Sequence, residues 1–438
     1  MEQNQLIMHA PTQRLEAIDI FRGLTIAAMI LVNNPGSWSH VYAPLLHAKW
    51  HGCTPTDLVF PFFLFAVGTV IPFSLGSAAN QANKPYRKIA SRALIIFGLG
   101  LFMAAFPRFG LRAGTPPIIQ VLHYLSLSVF STSLLFRAVF LSYPQPQKAK
   151  KWTTPMLLSA GVMLLIGWWH YDLSTLRIPG VLQRIAIVYL ITALLFLWQS
   201  PKGLLGTGIA LLLLYWGLMT LVPVPDGMAP NLEPETNLGA WLDRNIFGTH
   251  LWVQSKTWDP EGLLSTLPAV VSGIIGVFTG VWVKKAIPVM QKIKAILGVG
   301  TALVVLGYAW GLVFPINKQL WTSSYVLYTG GIALLVLGVV LLLADYLHLR
   351  KWAIPFRQYG MNALFVFVVS GLSTKLMLHI KWAGSDGSTS NLRTWSYETL
   401  FHSWLPDYPA SLAFALTNVL VLYVLARILY QKKIFIKV

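Results

Sequence analysis

The chain has 438 residues, 55% of them hydrophobic and only 11% charged, with a mean hydropathy of +0.61. That is more apolar surface than a soluble core requires, so lipid is part of its solvent. A single cysteine, Cys53, excludes a disulfide framework and any multi-cysteine zinc or iron–sulfur site, and no polar stretch is long enough to turn the net charge of +18 into a nucleic-acid-binding face.

Apolar runs of about 20 residues cross the hydrocarbon core as helices. In the first half they lie near 17–35, 57–78, 91–106, 118–142, 154–170 and 178–198. In the second half they lie near 204–222, 263–283, 295–314, 323–344, 358–378 and 409–430. The pattern predicts an all-α integral membrane protein, a polytopic bundle of about twelve transmembrane helices forming one domain over 1–438. An even number of spans puts both termini on one side. The loops on that side carry most of the Lys and Arg: Lys84, Arg87, Lys88 and Arg92, then Lys284, Lys285, Lys292 and Lys294, and finally Lys432, Lys433 and Lys437. The positive-inside bias therefore predicts cytoplasmic N and C termini. Acidic residues gather on the other side, among them Asp57, Asp226, Glu233, Glu235, Asp243, Asp259 and Glu261. No apolar stretch precedes the first span, which is expected to act as its own signal.

Polar groups inside a membrane protein are costly and so are functional candidates. The first span carries Asp19 and Arg22 at its inner end, which either pair with each other or hold a cytoplasmic anion, and Asn33-Asn34 at its outer end. The densest polar segment runs from Leu46 to Asp57 into the second span. Asp57 suits a helix N-cap, and His47 or His51, with the ordinary histidine pKa near 6.5, suits proton transfer. Asn33, His47 and Asp57 come from neighbouring spans and are expected to converge at one outer pocket. Pro116 to Gln120 and Pro179 to Gln183 open two spans in similar fashion, a weak sign of a duplicated hairpin. Arg184, in the outer third of the sixth span, requires a carboxylate or phosphate partner. The long outer loops near 223–262 and 379–408 hold Trp241, Trp252, Trp258, Trp395 and Trp404, placed either in the interfacial belt or to stack on a sugar.

Eight segments occur in one order along the chain: Asp19-Ile-Phe-Arg22-Gly23, Val32-Asn33, His47-Ala-x-Trp50-x-Gly52-x-Thr54 followed by Asp57-Leu-Val-Phe-Pro61, Arg177-Ile-Pro-Gly-Val-Leu-Gln-Arg184, Asp259-Pro-Glu-Gly262, Pro315-x-Asn-Lys-x-Leu-Trp321, Gly360-Met-Asn362 and Lys432-Lys-Ile-Phe435. Together they resemble the transmembrane acetyltransferase family of the heparan-alpha-glucosaminide N-acetyltransferase type and its bacterial relatives, some described as N-acetylglucosamine-related putative transporters. The resemblance implies transfer of an acetyl group from cytoplasmic acetyl-CoA to an amino sugar across the membrane, in the periplasm for a bacterial inner-membrane protein. It places the active-site histidine on His47, with Asn33 and Asp57 beside it, and makes Arg22, Arg184 and Asn362 candidates for CoA. Asp259, Glu261, Asn317 and Lys318 become candidates for the acceptor. No metal is expected, and a homodimer is a family-level expectation. The animal members carry a luminal N-terminal domain that this chain does not show, so a small amino sugar is the expected acceptor. A sugar permease without acyl transfer is the alternative, discriminated by uptake in the absence of acetyl-CoA.

Overall fold

The computed structural model describes residues 16–77, 83–142, 146–383 and 389–436; Lys437 lies outside them. The chain is a helical bundle built in the order α1 (Glu16–Asn33), α2 (Val59–Leu75), α3 (Tyr86–Ala105), α4 (Pro117–Ser142), α5 (Pro146–Lys151), α6 (Thr153–His170), α7 (Val181–Trp198) and α8 (Pro201–Leu221). A short helix, α9 (Leu238–Phe247), then leads to α10 (Thr266–Lys284), α11 (Val289–Gly311), α12 (Ser323–Val340), α13 (Ile354–Met361) and α14 (Ala363–His379). A two-stranded hairpin, β1 (Lys381–Ala383) with β2 (Thr389–Asn391), precedes α15 (Leu392–Tyr397) and α16 (Asp407–Gln431).

Ten of these helices are long and apolar enough to cross a membrane, and α13 with α14, bent by 76° at Asn362, makes an eleventh if the pair is one span. The expected count of about twelve is thus reduced to ten or eleven on length and composition. The first predicted span, α1, is not among the ten: it is a helix of 18 residues that carries three charges, Glu16, Asp19 and Arg22. It is nonetheless among the most buried helices, packed on α2 and α13, because its charges sit in the first two turns and its outer half is apolar.

Burial separates a centre from a periphery. The spans Pro55–Leu75 and Thr266–Lys284 are 67% and 72% buried, against 17% for Pro117–Ser142 and for Gln147–His170. α4 to α6 therefore form an outlying hairpin with most of its surface facing lipid, while α2 and α10 form the axis. Their backbones touch: a β-carbon on Gly68 would stand 2.1 Å from the Gly273 carbonyl oxygen, so only small residues permit this crossing. Inner-end lysines close helix C-termini. Lys84 donates to Leu197 O at 2.5 Å, Lys284 to Pro72 O at 3.0 Å and Lys292 to Val283 O at 2.7 Å, each cation at the negative end of a helix dipole.

Candidate active site

The eight segments fold into two clusters at opposite ends of the bundle. At the end with the basic loops, α1 crosses α13 at backbone contact: a β-carbon on Gly23 would fall 1.6 Å from Phe356 O, and one on Gly360 1.9 Å from Asp19 O. The glycines of two separate motifs are thus one close approach. Arg22 lies 3.5 Å from Asp19, which is the pairing alternative. Asn362 is buried with both ends of its amide engaged, donating to Ile434 O at 3.0 Å and accepting from Ile436 N at 2.9 Å. It pins the Lys432–Phe435 segment against the bend between α13 and α14.

At the end of the bundle away from the basic loops, the chain after α1 returns through Leu46–Thr54 and enters α2 by a 3-10 turn at Pro55–Leu58. Asp57, 1% exposed, is where this loop is tied. Its Oδ2 accepts from Thr54 N, Thr54 Oγ1 and Ala48 N, each at 3.0 Å, the acidic half of a capping box with a further loop amide added. Its Oδ1 lies 2.6 Å from His47 Nδ1. One oxygen of Asp57 thus takes the expected cap role and the other faces His47. A carboxylate only accepts, so Nδ1 holds the proton and the lone pair of His47 is on Nε2. His47 itself is exposed, its side chain 41% accessible. From the far side, Tyr325 donates to the Asp57 carbonyl oxygen at 2.5 Å.

The turn after α11 meets this loop. Gly52 N donates to Ile316 O at 2.7 Å, and Gly52 and Asn317 form a parallel bridge. Asn317, fully buried, spends its Oδ1 on Leu320 N at 2.9 Å and sets its Nδ2 3.3 Å from His51 Nδ1. Lys318 then reaches His47, its Nζ 3.1 Å from Nδ1 and 3.3 Å from Nε2, and 3.8 Å from Asp57 Oδ1. Burial pushes the Lys318 ammonium pKa down, opposed by the charges of Asp57 and Glu261. Burial and then the charge of Asp57 push the Cys53 thiol up to about 12, so this cysteine is a poor nucleophile.

Asp259 and Glu261 are placed beside this group but turned to Arg177. Arg177 Nε donates to Asp259 Oδ2 at 2.8 Å, and its Nη2 to Asp259 Oδ1 at 2.6 Å and Glu261 Oε2 at 2.5 Å. Arg184, 1% exposed, donates to Gly262 O at 2.9 Å and to Ser265 Oγ, with its guanidinium 5.2 Å from the Trp321 ring centre. No carboxylate contact to Arg184 is found among the described residues: a backbone carbonyl, a hydroxyl and an aromatic face surround it. Nε and Nη1 of Arg184 have no hydrogen-bond partner. Trp321 also packs on Phe60 and Tyr325 at 5.0 and 5.3 Å, joining the Arg184 network to the Asp57 network.

Asn33 is exposed at the end of α1 and lines a cavity of about 140 Å³ with Asn34, Ser370 and Thr374. No hydrogen bond joins it to His47 or Asp57 among the described residues. Its neighbour Asn34 is the buried one, donating to Ile30 O at 2.8 Å and accepting from Thr374 Oγ1 at 2.6 Å. Trp252 and Trp258 pack with Trp50 (Trp50–Trp258 5.3 Å, Trp252–Trp258 5.8 Å), forming an aromatic wall by the loop, whereas Trp404 is 67% exposed. Two contributors went unremarked as site residues in the sequence: Tyr325, one apolar-looking position in a span, and Asp243, whose Oδ1 accepts from Leu263 N at 2.9 Å. Burial raises the Asp243 pKa to about 6.

The sequence is similar to known proteins over most of its length. A family profile described as a protein of unknown function (DUF998) matches residues 23–199. Heparan-alpha-glucosaminide N-acetyltransferase of Homo sapiens is 26% identical over 390 residues, 81% of this chain and 52% of that protein. The Mus musculus protein of the same name is 26% identical over 416 residues, 81% of this chain and 53% of that protein. The chain spans about half the length of these curated relatives. It is an all-α polytopic membrane protein and a distant relative of heparan-alpha-glucosaminide N-acetyltransferase.

Proposed function

We propose that the chain moves an acetyl group from cytoplasmic acetyl-CoA to the amine of a glucosamine-type amino sugar on the periplasmic side of a bacterial inner membrane. The observation that carries this reading is the Asp57–His47 contact of 2.6 Å at the end of the bundle assigned to the outer side, in a chain whose named relatives are N-acetyltransferases. His47 Nε2 takes the proton of the sugar amine as that amine attacks the thioester carbonyl. Asp57 holds the tautomer and balances the imidazolium that forms. Asn33, exposed on its cavity, is the proposed donor to the oxyanion. Asp259 and Glu261 are occupied by Arg177, so their proposed part in binding the acceptor is to shape its loop, with Lys318 facing the acceptor and buried Asn317 holding the turn that presents it. For the CoA phosphates, Arg22 with exposed Arg87, Lys88, Lys285 and Lys294 suits better than Arg184 or Asn362, whose contacts are internal.

The test is acetyl-CoA binding to purified protein in detergent, followed by acetyl transfer to glucosamine, with His47→Ala in parallel. The expected result is binding by both proteins and transfer by the unmodified chain alone. Folded protein that ignores acetyl-CoA yet carries labelled N-acetylglucosamine into proteoliposomes makes it a permease instead.

A further inference from the structure

One amine already stands at the candidate base, and it belongs to the protein. Lys318 is delivered there by a turn with little freedom: the Gly52–Ile316 hydrogen bond fixes it on one side and buried Asn317 on the other. The Lys318 side chain is 16% exposed. Its Nζ stands almost equally far from the two ring nitrogens of His47, 3.1 and 3.3 Å. An atom in line with the Nε2 lone pair would be much farther from Nδ1, so the amine lies along the edge or face of the ring and leaves that lone pair open. Its one nearby carboxylate oxygen, at 3.8 Å, already receives His47. Desolvation favours the neutral, nucleophilic form of this amine over the ammonium.

We infer that Lys318 is an internal acetyl acceptor: with acetyl-CoA bound and no sugar in place, the site acetylates its own lysine. The inference rests on the acetyltransferase reading above. In the step, the Lys318 side chain rotates to bring Nζ into line with the open Nε2 lone pair of His47, which removes a proton from it as the nitrogen lone pair attacks the thioester carbonyl carbon. The carbon–sulfur bond breaks, the CoA thiolate leaves with the electron pair, and the proton held by His47 completes the CoA thiol. The products are one Nε-acetyllysine and one CoA, and no oxidant or reductant is consumed. The acetamide so formed carries the same group as an N-acetylated sugar, seated against the same base. Modified Lys318 is then a tethered mimic of the product, and the site is closed until that chain is replaced. A bound amino sugar competes with it.

Full-length protein in detergent is incubated with acetyl-CoA, with and without glucosamine, and both products are read: acetylglucosamine in solution and acetyl groups on each lysine by peptide mass mapping. The expected result is Lys318 acetylated far ahead of exposed Lys202 and Lys285, suppressed by glucosamine, and slowed about a hundredfold in His47→Gln, the lower end of a general base's contribution. The ratio of Lys318 to Lys202 is read on the unmodified chain, so it stands even if the variant fails to fold. Acetylated glucosamine beside untouched Lys318 overturns this inference and leaves the enzyme reading intact. Neither product overturns both. Acetylation of Lys318 at the pace of Lys202 and Lys285 is ordinary chemical modification and overturns the inference alone.

Discussion

Asp57 divides its two oxygens between loop and base, and that division makes a discriminating variant available. Asp57→Asn keeps one acceptor and turns the other into a donor facing either the three loop donors or His47 Nδ1–H. Neither orientation satisfies both sides. Acetyl transfer is expected to fall by about a hundredfold or more, with a lowered unfolding temperature, whereas acetyl-CoA binding at the other end of the bundle stays within about twofold. Loss of CoA binding in a folded Asp57→Asn protein would mean the two ends are not separate sites. Asp243 tests a different property. Its folded pKa, about 6, lies above the ordinary carboxyl value, so the folded state binds the extra proton between the two values, and its contribution to stability declines as pH rises through that window. Asp243→Asn removes the penalty. Its melting temperature relative to the unmodified chain is expected to climb between pH 4.5 and 7.5, by an amount on the order of 2 kcal/mol in stability, and a flat difference would contradict the burial argument. The cost of polar groups in a membrane drew attention to Arg184 and to the Leu46–Asp57 segment, where His47 and His51 stayed equivalent until the family resemblance chose His47. It did not separate Asn33 from Asn34, because the rotation of a helix about its axis decides which neighbour a side chain meets, nor foresee that Arg177 takes both Asp259 and Glu261, because two loops far apart in sequence bring them together.

Between elements, the motifs proved to be pairs. Asp19–Gly23 meets Gly360, His47–Thr54 meets Ile316–Lys318, and Arg177–Arg184 meets Asp259–Gly262. Segment order along the chain was legible without this, since composition and spacing carry no partner information. The α1–α13 crossing yields a clear element-level expectation. Gly23→Ala drives a methyl into Phe356 O, which is backbone and cannot rotate away, so the helices must part at a cost of about 1–3 kcal/mol. Thermal unfolding in detergent should drop accordingly, with acetyl-CoA affinity falling too if Arg22 contacts it. An unchanged melting temperature would show that the helices are not in backbone contact. The possible duplicated hairpin reads differently at this scale. The helix after Pro116 is peripheral and the helix after Pro179 is central, 17% against 56% buried. Two similar openings therefore lead into unlike surroundings, one facing lipid and one holding Arg184 in the core.

At the scale of the whole molecule, hydropathy located every long helix because lipid demands about 20 apolar residues whatever the tertiary contacts. It gave no warning of the 76° bend at Asn362, where φ −126° and ψ 32° leave the helical region and the side-chain amide holds the C-terminal segment. Sidedness rests on the charge pattern alone, and the single cysteine makes it testable. Cys53→Ala supplies a thiol-free background, losing only a weak contact from the thiol to Thr54 O at 3.7 Å. In that background Asn245→Cys on α9 and Arg87→Cys after α2 each put one thiol at an exposed position on opposite ends of the bundle. If the basic loops face the cytoplasm, an impermeant maleimide added to intact cells with the outer membrane opened labels Asn245→Cys and leaves Arg87→Cys unlabelled until the inner membrane is permeabilised. The reverse pattern would put His47 and Asp57 on the cytoplasmic side with the acetyl donor, and transfer would then require no passage of the acetyl group across the membrane.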